Sequence, residues 1–327
     1  MFRIGLNPYG LTYTVGLQGA GTPRANPQPI GIAGFIAIAR DLGVRHVELD
    51  HRWLTPMRDS ELAALGGQLA EFGLTPTCSF WLAQQPGETL ADGIRCACAL
   101  RAPVLRLHLT PVIEGARAAW GEQWPAMTTH ARAILARDAP KAADAGVTLA
   151  IENHQDLGSE ELVAIAEEAG DNVGVVLDTG NPFAVGEDPV AFTRRAAHRI
   201  RHVHLKDYVA QFTGEGYRLI RCAIGDGSVP LQEIARELAQ EVTASIEPGA
   251  LEARHIRAFA PDWWTGYPPR EAGEFATAIG RLRQRRLEED ADCRTPWERD
   301  AAGPDLVAYE MDQIRRSALY LRTIGWL

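Results

Sequence analysis

At 327 residues, 46% hydrophobic and 23% charged, the chain has the composition of a soluble globular protein large enough for a sizeable core, as one large barrel or two ordinary domains. A formal charge of −9 argues against a partner held mainly by phosphate neutralisation, which needs concentrated Lys and Arg; the one basic run, 281–286, is followed at once by Glu288, Glu289 and Asp290, as on a solvated helix face. The five cysteines are odd in number and lack metal-finger spacing, which fits structural thiols in a reducing compartment. With no signal core and no apolar run of spanning length, the expected location is the cytoplasm.

Residues 2–6 read as a first strand. The long loop after it carries Pro8, Gly10 and a Gly-rich stretch at 16–21 that lacks the spacing of a dinucleotide fingerprint. Apolar residues at helical spacing over 32–42 stop at Gly43, a candidate C-cap, and 44–50 is a second strand. The alternation continues with a helix over 61–72, a strand over 74–80 ending at Trp81, a helix over 89–100, a strand over 104–109 and a long helix over 124–145. Strands over 147–154, 173–178, 200–206 and 244–247 follow, separated by helices over 160–169, 188–198 and 231–240. Ser159 before Glu160 and Glu161, and Pro230 in a first turn, are helix-start signals. Eight strands alternating with helices fit the α/β class, and within it a (β/α)8 TIM barrel better than an open doubly wound sheet.

After Glu247 a barrel needs one closing helix, yet a long tail remains. Residues 270–289 are expected to form that helix and 305–321 another. The chain thus reads as a single domain over 1–327, the barrel running to about 290, with a C-terminal helical extension over about 251–327 that packs on the barrel or on a partner.

The last four strands each end in a potential metal ligand: Ile151-Glu152-Asn153-His154, Val176-Leu177-Asp178, His202-Val203-His204-Leu205-Lys206 and Ser245-Ile246-Glu247. Side chains alternate along a strand, so Glu152 and His154 share a face, as do His202, His204 and Lys206. Helices cover the outside of a closed barrel, so these polar members are expected to face the lumen. Glu, Asp, His and Glu make a mixed oxygen and nitrogen set suited to a divalent metal.

These stretches, with Thr179-Gly180-Asn181, Asp207 and the Gly225-Asp226-Gly227 turn, resemble the xylose-isomerase-like TIM-barrel superfamily of sugar isomerases and epimerases over roughly residues 1–250. The resemblance implies metal ligation by Glu152, Asp178, His204 and Glu247, with Mn2+ the leading candidate and Mg2+, Co2+ or Zn2+ as alternatives. It also implies proton exchange with substrate by Glu152 and Glu247, through an enediolate formed next to a carbonyl. His154 adds an imidazole able to act as acid or base, and it suits the elimination chemistry of the related inosose dehydratases and C-glycoside deglycosidases. Asn181 stands where the family often has a substrate-contacting His, a departure from the ketose-epimerase pattern. Lys206, Arg221 and His108 are the other candidate substrate contacts. Glu48 and Arg106 read either as contacts or as polar filling of the barrel, and Trp81, Trp263 and Trp264 as stacking platforms or as packing.

The leading expectation is therefore a metal-dependent sugar isomerase or epimerase; the alternative is a lyase on the same scaffold, a dehydratase or C-glycoside deglycosidase acting on an oxo-sugar. An endonuclease IV-like repair enzyme would need further zinc ligands and a basic surface, and a non-catalytic barrel would have no use for the ligand set. The expected partner is a small sugar or oxo-sugar, with no nucleic acid or membrane; a homo-oligomer or a small second subunit is compatible with the aromatic tail.

Overall fold

The computed structural model describes residues 2–82, 89–238 and 241–327. Eleven strands lie in them: β1 (Arg3–Leu6), β2 (His46–Asp50), β3 (Thr75–Trp81), β4 (Val104–His108), β5 (Thr148–Glu152), β6 (Val173–Asp178), β7 (Ile200–Leu205), β8 (Tyr208–Thr213), β9 (Gly216–Arg221), β10 (Thr243–Ile246) and β11 (Arg254–Ile256). The helices are α1 (Gly31–Leu42), the single turn α2 (His51–Leu54), α3 (Asp59–Glu71), α4 (Leu90–Leu100), α5 (Gln123–Asp144), α6 (Ser159–Ala169), α7 (Pro189–Ala196), α8 (Leu231–Glu237), α9 (Ala272–Gln284) and α10 (Gly303–Thr323). Strands β1 to β7 and β10 close into a parallel barrel in which β10 pairs with both β7 and β1. This is the expected (β/α)8 architecture, with a C-terminal helix added.

Every residue of β2 and of β6 is buried, as parallel strands must be when helices cover one face and the lumen the other. Helix ends follow local chemistry. Gly43 closes α1 in the left-handed region at φ 72°, and the Asp92 carboxylate accepts from the Thr89 backbone N–H at 2.8 Å to start α4. At α6 the cap lies one residue earlier than expected: Ser159 is already helical, and Glu161 reaches back to the N–H of Gly158 at 3.1 Å. Residues 239 and 240, the end of the helix expected over 231–240, lie outside the described residues.

Two features depart from the sequence reading. The first is an antiparallel sheet, β8-β9-β11, that stands on the carboxyl end of β7 and was not anticipated. The Asp207 carboxylate fixes its approach, because it accepts from the backbone N–H groups of Tyr208, Gly225, Gly227 and Val229 at 2.9–3.0 Å. The Gly225-Asp226-Gly227 turn is therefore a cradle for that carboxylate, and Gly227 passes so close to it that a Cβ would collide with Asp207 Oδ1.

The second is the closing helix, expected over 270–289. Instead α10 packs on β10, and the Arg322 guanidinium donates to the Leu42 carbonyl at the end of α1 at 2.6 Å. Helix α9 lies farther out, where Arg281 meets Glu233 on α8 at 2.8 Å and Glu274 meets Arg195 on α7 at 2.6 Å. The reason is the burial pattern of α10. Leu306, Glu310, Ile314, Ala318 and Leu321 make a continuous stripe at spacings of three and four, and the fully buried Glu310 carboxylate accepts from the Tyr13 and Thr14 N–H groups at 3.0 and 2.8 Å, anchoring the loop after β1. In α9 only Ala278 and Leu282 are buried.

Candidate active site

The carboxyl ends of the barrel strands bring four side chains together. Glu152 ends β5, Asp178 ends β6, His204 is the penultimate residue of β7 and Glu247 follows β10. The ladder sets Asp178 opposite His204, and His204 opposite Ser245. One ligand atom from each of the four lies within 4.8 Å of all the others, and all four residues are buried.

Partners outside the cluster choose which atoms face its centre. The Arg106 guanidinium on β4 donates to Glu152 Oε2. Glu48 Oε2 on β2 lies 2.8 Å from His204 Nε2. The Gly180 and Asn181 N–H groups donate to Asp178 Oδ1 at 2.9 and 3.0 Å, and the Lys206 ammonium bridges Asp178 Oδ2 and Glu247 Oε1, the latter at 2.9 Å. What remains is Glu152 Oε1, His204 Nδ1 and Glu247 Oε2, three buried atoms without a directed hydrogen bond. His204 Nδ1 is nevertheless 2.7 Å from Glu247 Oε2 and 3.5 Å from Glu152 Oε1, close enough for charge attraction. Buried polar atoms are rarely left so, and ligands of one ion at about 2.0–2.3 Å sit within roughly 4.5 Å of each other. The donor set and its spacing therefore fit a divalent cation.

Charge in the metal-free cluster follows from the same contacts. Burial opposes the imidazolium of His204, but Glu247 and Glu48 outweigh it and raise its pKa to about 9. Burial also opposes ionisation of Glu247, yet His204 and Lys206 hold its carboxyl down at about 2. Lys206 is kept charged despite burial by Asp178 and Glu247.

Beside the cluster lies a cavity of about 280 Å³. Lys206 and Glu247 reach it from the ligand side, while Tyr9, Trp81, His108 and His154 form an aromatic wall. Tyr9 stacks on Trp81 at 5.9 Å, and the rings of His108 and His154 are 3.8 Å apart. Burial first, then the neighbouring imidazole and the Arg106 charge, push His154 well below its ordinary pKa; burial and Arg106 do the same to His108. Both are neutral near pH 7, and His154 Nδ1 and His108 Nε2 have no hydrogen-bond partner.

Of the sequence-derived candidates, Glu152, Asp178, His204 and Glu247 form the cluster, and Lys206, His108 and His154 line the cavity. Asn181 sits one step back, with Oδ1 3.4 Å from Gln155 Nε2 and 3.5 Å from the Tyr208 hydroxyl, both belonging to cavity residues. Arg221 is placed away from the cavity. Its buried guanidinium donates to Gln313 at 2.7 Å, to the Gly10 carbonyl at 2.9 Å and to the Gly249 carbonyl, which makes it a brace between loops. Trp263 and Trp264 likewise spend their indole N–H groups on the Glu114 and Ala258 carbonyls. Tyr9, Tyr208 and Arg254 reach the cavity without having been singled out in the sequence. Tyr208 and Arg254 arrive on the unanticipated sheet, and its only sequence signal was the short Gly214-Glu215 link between two strand-like stretches.

The description of the xylose isomerase-like TIM barrel family matches residues 36–254. The chain belongs to that family. The chain is also 28% identical to an inosose dehydratase of Clostridium botulinum over 146 residues, which cover 40% of this chain and 48% of the relative. It is 33% identical to the rhizopine catabolism protein MocC of Rhizobium meliloti over 134 residues, 37% of this chain and 40% of the relative. The chain thus matches less than half the length of these curated relatives. The family fold is also shared by a crystal structure of a D-tagatose 3-epimerase-like protein, at a TM-score of 0.54 and 13% identity, covering 86% of this chain and 99% of that one. Among the described residues no helix is long and apolar enough to cross a membrane.

Proposed function

We propose that the chain is a divalent-metal-dependent enzyme that isomerises or epimerises a sugar by proton transfer next to a carbonyl. The observation that carries this reading is the pair Glu152 and Glu247, whose unpartnered Oε1 and Oε2 converge with His204 Nδ1 beside a sugar-sized cavity. Glu152, Asp178, His204 and Glu247 would hold the ion, for which Mn2+ is the first candidate given three carboxylates and one imidazole. Bound there, a divalent ion supplies Lewis-acid polarisation of a carbonyl and so acidifies the neighbouring C–H. Glu247 is ionised across the neutral range and can accept the proton, while Glu152, fixed by Arg106, can return one from the other side of the enediolate when it enters the turnover protonated, so that the two carboxyls exchange protonation states. Lys206 can donate to a substrate oxygen, and the Tyr9–Trp81 stack presents an aromatic face to the ring. We read residues 1–327 as one domain, with α10 part of the scaffold that holds the site.

The lyase reading has its own support. His154 presents a neutral imidazole to the cavity, where it can take up a proton during elimination from an oxo-sugar, and part of the chain is similar to an inosose dehydratase. One experiment separates the two. The protein, purified with Mn2+, is incubated with ketoses, inososes and 3-oxo-glycosides in deuterium oxide, and product mass is followed. Deuterium uptake without other change of mass supports the isomerase or epimerase reading, and loss of water or aglycone supports the lyase. Inactivity of the Mn2+-loaded protein on the whole panel would count against both.

A further inference from the structure

Beneath the ligand cluster the lumen carries a second set of polar side chains with no role in the proposed reaction: the buried Glu48, His202 and Ser245, with the half-buried Thr243 against His202. His202 is satisfied locally, its Nδ1 2.6 Å from Thr243 Oγ1 and its Nε2 3.1 Å from Ser245 Oγ. Glu48 is different. Its side chain is completely enclosed, one oxygen, Oε1, has no partner, and the other is directed at His204 Nε2 at 2.8 Å. Asn7 Nδ2 lies 3.4 Å from the same Nε2 but is itself a donor, since Asn7 Oδ1 is committed to the Tyr9 N–H at 2.7 Å. Glu48 is therefore the acceptor that the Nε2 proton has.

We infer that Glu48 is a positioning residue for the metal centre: by accepting from Nε2–H it fixes the ring of His204 with the Nδ1 lone pair turned toward Glu152 and Glu247. An imidazole can bind an ion through either nitrogen, and the partner of the other nitrogen decides which. Without Glu48 the ring is free to flip or to carry its proton on Nδ1, and either change removes one ligand. An acid completely buried in a barrel is costly unless paired, so it would not be expected as mere filling. The cost is offset here by the imidazole and by His202 Nε2 at 3.5 Å. The same division of labour appears at Glu152, where Arg106 takes Oε2 and leaves Oε1 facing the centre.

The inference rests on the proposed metal site, and its test separates the two. Mn2+ binding is measured by isothermal titration calorimetry on the whole metal-free chain, alongside thermal unfolding, for wild type, Glu48→Ala, Glu48→Gln and Thr77→Val. Thr77 is buried beside Glu48 in the register and its hydroxyl is unpartnered, so its variant controls for loss of a lumen polar group. Wild type and Thr77→Val are expected to bind one ion with similar affinity. Glu48→Ala should bind about 10–100-fold more weakly, the usual penalty for losing an outer partner of a metal ligand. Glu48→Gln, which keeps an acceptor oxygen, should recover a substantial part of that loss. Wild-type-like affinity in Glu48→Ala, or a Gln variant as weak as Ala at equal thermal stability, overturns the role of Glu48 alone. Should Glu48→Ala fail to fold, a Gln variant that folds but binds at least 100-fold more weakly than wild type also overturns it. Wild type that binds no Mn2+ removes the site, and this role with it.

Discussion

Ion binding at the cluster must compete with a proton. His204 carries one in the metal-free protein, with its pKa raised to about 9 by Glu247 and Glu48 against the opposing effect of burial, and a ligand nitrogen has to give it up. Below about pH 9 each further unit should therefore cost close to tenfold in apparent affinity, so that lowering the pH from about 8 to about 6 weakens binding roughly 100-fold, or about 2.7 kcal/mol. Glu247, held at about 2, adds no competition in that window. The direction is fixed: affinity rises with pH through neutrality and levels off above about 9. Calorimetric titration with Mn2+ in two buffers of different ionisation enthalpy reads both the affinity and the number of protons released, expected to be close to one near pH 7. An affinity unchanged across that range with no proton release would refute the assignment of His204 as a ligand.

Three further outcomes are expected. Glu247→Gln should lower turnover by about 10²–10⁴-fold, as loss of a proton-transfer group does, and Glu152→Gln similarly; steady-state rates on whichever substrate the panel reveals check this, and either variant keeping full metal binding and full turnover would discard the site. Arg221→Met should destabilise the protein by about 2 kcal/mol, because the Gly10 and Gly249 carbonyls lose a buried donor, yet leave KM unchanged; a raised KM at equal stability would return Arg221 to the substrate. In the metal-free protein, His204 contributes stability that is full below its ordinary pKa of 6.5 and lost as pH rises through about 9, amounting to about 3 kcal/mol, so denaturant unfolding of the apo protein should show stability falling across that window, and Mn2+ should abolish the fall.

The barrel was legible because strand and helix periodicities alternate as far as β7 and resume at α8 and β10, and because runs such as Val175-Val176-Leu177-Asp178, bounded by polar residues, read as strands buried on both faces with a polar end at the rim. The ligand set was legible because parity groups Glu152 with His154 and His204 with His202 and Lys206, and the cost of an unpaired charge under the covering helices assigns such strand-end groups to the lumen. What escaped was decided by contacts distant in sequence. The pairing of Arg254 with Leu219 that completes the small sheet leaves no periodic trace, and the stripe through Glu310 marks a helix without revealing that its buried face meets Thr14 and β10. Arg221 illustrates the same point from the other side: its likeness to a substrate-binding arginine of the family suggested substrate, and only the positions of Gln313 and two loop carbonyls reveal that three of its N–H donors brace the surrounding loops.

The central claim, that these four residues form one divalent-metal site, is most directly tested by anomalous diffraction at the manganese edge from crystals grown with Mn2+. One strong peak is expected at the carboxyl end of the barrel, within ligand distance of Glu152 Oε1, Asp178, His204 Nδ1 and Glu247 Oε2. No peak at saturating Mn2+, or a peak bound elsewhere on the molecule, would contradict it.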